Sequence, residues 1–266
     1  MTREQEYLLM LLRDYLHMRA SEVDVTIHEQ ELKKIARSQQ LSAIVYSQTK
    51  SELLKADYYQ QIIRNKRIDN EVCILRGIMK GIEYCFLKGV CIKDFYPMPV
   101  LRSMGDIDVL IRPESRLKVH NRLLENGYAF CNKWKEQWTY KKNGILLEVH
   151  DCAILCREAD DAREKFASDL WDYVENNELD WNFHFFYVLF HLRRHLISRG
   201  VGFRQFMDVA VLCEREEKLD WPWILKKAEH LNILEFMEKI FSFNEKTFDI
   251  KSPMPVFYYS IDARYL

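Results

Sequence analysis

No sign of charge dominates this 266-residue chain: 39 Lys and Arg stand against 40 Asp and Glu, a formal net charge of −1. That balance excludes a whole-protein field able to recruit nucleic acid or an anionic membrane, and leaves only a local basic patch. Paired cysteines are missing too. The seven cysteines, at 73, 85, 91, 131, 152, 156 and 213, are odd in number and form no Cys-x-x-Cys. They predict reduced thiols in the cytoplasm rather than a disulfide framework or a thiolate zinc site. Long apolar runs are lacking as well. The amino terminus, MTREQEYLLMLLRDYLHMRA, threads charges through its apolar residues. It predicts neither a signal peptide nor a spanning helix, which needs about 20 apolar residues. Internal repeats, low-complexity segments and long linkers are also absent, so the expectation is a cytoplasmic protein without membrane association.

What is present is periodicity of two kinds. Leu8, Leu9, Leu11, Leu12 and Leu16 recur at helical spacing, and from about Asp57 to Gly81 the positions Ile68, Val72, Leu75 and Met79 mark one buried stripe of a long helix. The rhythm then changes. IEYCFLKG reads as a strand ending at Lys88-Gly89, VCIKDFYP as a short helix stopped by Pro97 and Pro99, and GDIDVLI as an alternating strand. Pro113 opens a helix running to Asn126-Gly127. YAFCNK, QWTYKK and ILLEVHD follow as a three-stranded meander, the last two strands joined by a turn at Asn143-Gly144. Helices return after about Asp160. The expected organisation is a helical region over 1–81, an α+β core over 82–157 and a second helical region over 158–266.

The chemistry sits in VLRSMGDIDVLIRP. Residues two apart on a strand share a face, so Asp106 and Asp108 point one way while Ile107 and Val109 point into the core. Two carboxylates about 7 Å apart on one face repel unless a cation lies between them. Mg²⁺ suits that place, because it binds through one or two carboxylates and keeps positions for phosphate and water. Glu148 in ILLEVHD is an available third carboxylate, with His150 on its own face. If its strand pairs beside that of Asp106, the three acids meet the needs of two-metal phosphoryl transfer. The plain alternative for a bare Asp-x-Asp is an exposed edge strand, with Glu148 facing solvent. A Glu148 turned away from the aspartates, or an internal lysine or arginine plugging them, would remove the support for catalysis.

Four features occur together: Lys-Gly after a strand, a Tyr-Pro turn, Arg-x-x-Gly-Asp-x-Asp, and Glu-x-His closing the meander. FLKGVCIKDFYPMPVLRSMGDIDVLI followed by LLEVHD resembles the uncharacterised bacterial nucleotidyltransferases of the polymerase-β-like superfamily, from about Phe86 to His150. FHLRRHLISRGVGFRQFMDVAVL is more weakly similar. The resemblance implies an α+β fold with a mixed β-sheet core flanked by helices, two Mg²⁺ ions, and an NTP such as ATP as substrate. Asp106 and Asp108 resemble the paired metal ligands, and Glu148 the third carboxylate and base. Lys88 and Gly89 stand where the wider superfamily has Gly-Ser or Gly-Gly under the triphosphate. There Gly89 would let the backbone approach and Lys88 would supply charge.

Other candidates keep two readings each. Arg102 contacts the triphosphate or forms a salt bridge to one of the aspartates. Gly105 makes room for the nucleotide or forms a bulge. His184, His191 and His195 share a helix face. They are core or surface histidines, or else His191, His195, Arg199 and Arg204 line a nucleotide cleft together with His150. The missing Glu after His191, where Leu192 stands, excludes the zinc-protease pattern. Arg204 and Asp208 predict an i, i+4 pair. KWKEQWTYKK predicts a hairpin with solvated lysines in preference to a base-stacking platform.

The resulting expectation is transfer of a nucleoside monophosphate from an NTP to an acceptor hydroxyl. The alternatives are a catalytically weak nucleotide-binding or regulatory module with the same fold, and a helical partner-binding protein. Near-zero net charge argues against a long nucleic-acid acceptor.

Overall fold

A computed structural model describes residues 1–134, 137–152, 161–198 and 200–253; Cys156, Arg199 and the tail after 253 lie outside them. By its contacts the chain divides into two compact units. One comprises Met1–Arg64, Lys93–Ser103 and the chain from His191; the other comprises Asn65–Ile92 and Met104–Phe190.

The first unit is helical. It holds α1 (Arg3–Leu16), α2 (Glu29–Ser38), α3 (Ser42–Thr49) and the start of α4 (Lys55–Ile78). Thr2 caps α1 in a capping box with Gln5, each side chain bonding the other's backbone N–H. Of the predicted leucine set, Leu8, Leu11, Leu12 and Leu16 are buried. The segment 93–103 is tied to this unit at several points. The Tyr15 hydroxyl donates to the Met98 carbonyl at 3.1 Å, and Arg204 Nη1 donates to the Ser103 carbonyl at 2.6 Å.

The second unit carries the sheet. After the rest of α4 come β1 (Tyr84–Leu87), a short α5 (Gly89–Ile92), β2 (Asp106–Ile111), α6 (Arg116–Glu125), β3 (Ala129–Trp134), β4 (Gln137–Lys142) and β5 (Ile145–His150). The strand order is β1-β2-β5-β4-β3. Only β2 and β5 pair in parallel; the other neighbours are antiparallel, so the sheet is mixed as expected. Asn143 (φ 50°) and Gly144 (φ 79°) both take the left-handed conformation that a two-residue hairpin turn requires.

The apolar stripe of α4 is buried as its spacing predicts. Ile68, Val72, Leu75 and Met79 pack with Val119 and Leu123 of α6 against Ile107, Val109, Leu147 and Val149 of the sheet. Covering that face fixes the strand register, because a one-residue slip would turn every apolar side chain outward. Beyond the sheet come α7 (Asp161–Ser168) and a hairpin of β6 (Val174–Glu175) with β7 (Glu178–Leu179). The sequence reading placed only helices in this stretch. The hairpin's signal is Asn176-Asn177, both at positive φ. Then follow α8 (Trp181–Ser198), α9 (Phe203–Cys213), α10 (Trp221–His230) and α11 (Leu234–Phe248), with α8 contributing its first half to this unit. Among the described residues no helix is long and apolar enough to cross a membrane.

Candidate active site

The parallel pairing of β2 with β5 sets Asp108 directly opposite Glu148, and Leu110 opposite His150. Since Ile107, Val109, Leu147 and Val149 fill the core, period-two alternation sends Asp106, Asp108, Glu148 and His150 to the other face. Ligand atoms of Asp108, Glu148 and His150 all lie within 4.8 Å of one another. Glu148 therefore lies beside Asp108 on a shared face of the sheet, half-buried rather than turned fully to solvent. Asp106 sits one pleat along the same face, beside Leu146, and outside that tightest group.

Charge within the cluster is uneven. Asp108 Oδ1 accepts hydrogen bonds from the Lys88 ammonium at 2.6 Å and from His150 Nε2 at 3.0 Å; Asp108 and His150 are buried and Lys88 is half-buried. His150 is the donor here because a carboxylate only accepts. Burial works against both charges, and mutual attraction outweighs it: Asp108 is held far below the usual carboxylate range and Lys88 above the usual lysine value. Glu148 goes the other way. Burial, then Asp108, then Asp106 push its pKa up, against the pull of Lys88 and His150. Neighbouring acids are thus driven apart, one held ionised and one made more basic, a pattern typical of functional carboxylates.

Lys88 thus occupies part of the place where a plug was foreseen. It takes Oδ1 alone, and no described residue donates to Asp108 Oδ2. The turn that carries it is held by its backbone. The Lys88 N–H donates to His184 Nε2 at 2.9 Å, and its carbonyl accepts from Cys91 and Ile92 at 3.0 and 2.9 Å. Lys88 itself has φ 52°, so the left-handed residue of the turn is the lysine and not Gly89, which opens α5. A lysine in that conformation costs roughly 1–2 kcal/mol, which the three backbone bonds offset.

A family model described as "Uncharacterised nucleotidyltransferase" matches residues 26–249. The chain belongs to this nucleotidyltransferase family. No curated protein and no solved structure matches it. In this family member Gly105 stands just before β2. A Cβ built there meets nothing within 4 Å, and the flanking ladders keep an unbroken register. Open space, rather than a bulge, is what the structure places at Gly105.

Three sequence candidates belong to the helical unit. Arg102 is buried, and its Nε and Nη2 both donate at 2.7 Å to the two oxygens of Asp208 on α9. Asp208 is thus a salt-bridge partner of Arg102, whereas Asp108 of the strand pairs with Lys88. Tyr96 donates to the same carboxylate at 2.6 Å. Asp208 is thereby taken by Arg102 and Tyr96, and the expected Arg204–Asp208 helix pair is not formed. His191 and His195 stand with their Nε2 atoms 3.0 Å apart. His184, grouped with them by spacing, has a different place: it stacks on Trp181 and holds the Lys88 turn. Its signal was a histidine one turn into an aromatic helix, which nothing local links to residue 88.

Proposed function

We propose that this nucleotidyltransferase transfers a nucleoside monophosphate from a Mg²⁺-bound NTP to an acceptor hydroxyl and releases pyrophosphate. The observation that carries the reading is the direct opposition of Asp108 and Glu148 on paired parallel strands, with His150 beside them. The donors suit a hard divalent cation: carboxylate oxygens face one another, and the His150 N–H is spent on orienting Asp108. Asp106, Asp108 and Glu148 would hold the metal, two ions if all three take part. A bound divalent ion neutralises triphosphate charge and acidifies the acceptor hydroxyl.

The remaining work falls to the chain. Glu148, made basic by burial and by its acidic neighbours, takes the acceptor proton. The acceptor oxygen bonds to the α-phosphorus as the α–β phosphoanhydride breaks, and pyrophosphate leaves with the bonding electrons. Lys88 and Gly89 carry the triphosphate, and the open space at Gly105 admits the nucleotide. Arg204, His195 and Arg102 belong to this reading only as candidates from the helical unit. A cytoplasmic location, where NTP and Mg²⁺ are abundant, completes it.

The Lys88 ammonium on Asp108 favours a second reading, a nucleotide-binding module with weak or no catalysis. Incubation with each NTP and Mg²⁺, scored for pyrophosphate release with a panel of hydroxyl acceptors, separates the two. The enzyme reading expects turnover that the Asp106→Asn/Asp108→Asn double variant abolishes. Turnover unchanged in that variant overturns the mechanism, and nucleotide binding without release establishes the second reading.

A further inference from the structure

The backbone of Lys88 is fixed while its charged end is held at one point. Three hydrogen bonds, to His184 and from Cys91 and Ile92, lock the peptide at a left-handed φ. Among the described residues the ammonium has one ion-pair partner, Asp108 Oδ1 at 2.6 Å, and it lies 6.0 Å from the centroid of the Tyr187 ring. A flexible four-carbon stem on an anchored base allows the charge to move without the turn moving. Meanwhile Asp108, the most enclosed acid of the cluster, is the ligand a divalent cation needs.

We infer that Lys88 acts as an exchangeable counter-ion: it neutralises Asp108 until a triphosphate arrives, then transfers its ammonium to the phosphates as metal takes the carboxylate. This rests on the nucleotidyltransferase reading and extends it to regulation. Metal alone competes with a tethered ammonium at 2.6 Å and binds weakly. Metal arriving with nucleotide does not, because the triphosphate gives the ammonium another anion. The two ligands are therefore positively coupled, and by linkage each raises the other's affinity by the same factor. Such coupling guards against idle metal loading and accounts for a half-buried lysine ion-paired to the most enclosed acid of the cluster.

Mn²⁺, followed by the electron paramagnetic resonance of its free form, is the probe. Wild-type protein is expected to bind Mn²⁺ alone at least tenfold more weakly than in the presence of non-hydrolysable NTP analogues, after correction for metal held by free analogue. Lys88→Met is expected to bind Mn²⁺ alone at least tenfold more tightly than wild type. Adding Asp108→Asn should cancel the gain, and Lys88→Arg should keep binding weak. Equal wild-type affinity with and without nucleotide overturns the inference, as does a folded Lys88→Met with unaltered Mn²⁺ affinity. Should Lys88→Met fail to fold, Lys88→Gln and Lys88→Ala take its place in the same titration, and unaltered Mn²⁺ affinity in whichever of them folds overturns the inference. Absence of Mn²⁺ binding to every protein under every condition instead defeats the nucleotidyltransferase reading, and this inference with it.

Discussion

Separating the Lys88–Asp108 pair measures how deeply the cluster is desolvated. The side chains are 15 % and 4 % exposed, so either charge left alone stays largely out of water. Removing one member of a buried pair costs about 3–5 kcal/mol, whereas replacing both with neutral groups of similar volume is often nearly neutral. Lys88→Met leaves Asp108 with the His150 donor and belongs at the lower end; Asp108→Asn leaves an ammonium beside an amide and belongs at the upper end. With a double variant costing about 1–2 kcal/mol, the cycle gives a coupling energy of at least ~4 kcal/mol. Urea unfolding of the four proteins at pH 7, followed by circular dichroism, provides the numbers. The pH dependence checks the same pair. Asp108, depressed in the fold, stabilises above its unfolded pKa of about 3.9, and that contribution fades as pH falls below it. Lys88, raised in the fold, stabilises below about 10.4, and its contribution fades as pH rises beyond. Single variants costing under about 1 kcal/mol and adding within about 0.5 kcal/mol would refute the reasoning, since exposed, independent charges behave that way.

Other perturbations read other parts of the molecule. Glu148→Gln is expected to raise the thermal midpoint while removing turnover, because burial and two acidic neighbours disfavour its charge; a lowered midpoint counts against this. Gly105→Ala meets no atom and no strained φ, so stability should stay within about 0.5 kcal/mol while nucleotide affinity drops about tenfold, or ~1.4 kcal/mol; isothermal titration with unchanged affinity would show that the space is not used. Arg102→Met should cost about 3–5 kcal/mol in denaturant unfolding, since it strands Asp208 in the interior. Tyr128→Phe removes a buried hydroxyl that donates to Glu71 and should cost about 1–3 kcal/mol by the same assay.

What could be read from the chain alone follows the range of each interaction. The α4 stripe, the Asp106–Ile111 alternation and the Asn143-Gly144 turn are local patterns of period 3.6, period 2 and positive φ, and each appears where its residues place it. The convergence of Asp108 and Glu148 depended on a pairing that periodicity permits without specifying; the parallel β2–β5 ladder supplies it. The ion pairs were hidden. Lys88 with Asp108, and Arg102 with Asp208, join residues far apart in sequence, and a basic residue near an acidic strand points to no particular partner. The left-handed lysine was hidden for another reason: the adjacent Gly89 is the residue chemistry would nominate.

The β2–β5 ladder also bears on how the chain matures. Asp108 and Glu148 are 40 residues apart, and they meet only when a parallel pairing closes over α6, β3 and β4. Contacts of that span form slowly, after local helices and hairpins have appeared. A ribosome-bound fragment ending before Ile145 would hold the aspartates without their partner strand. If the proposed metal site forms, its affinity should therefore emerge late in refolding, which would make it a clock for completion of the sheet.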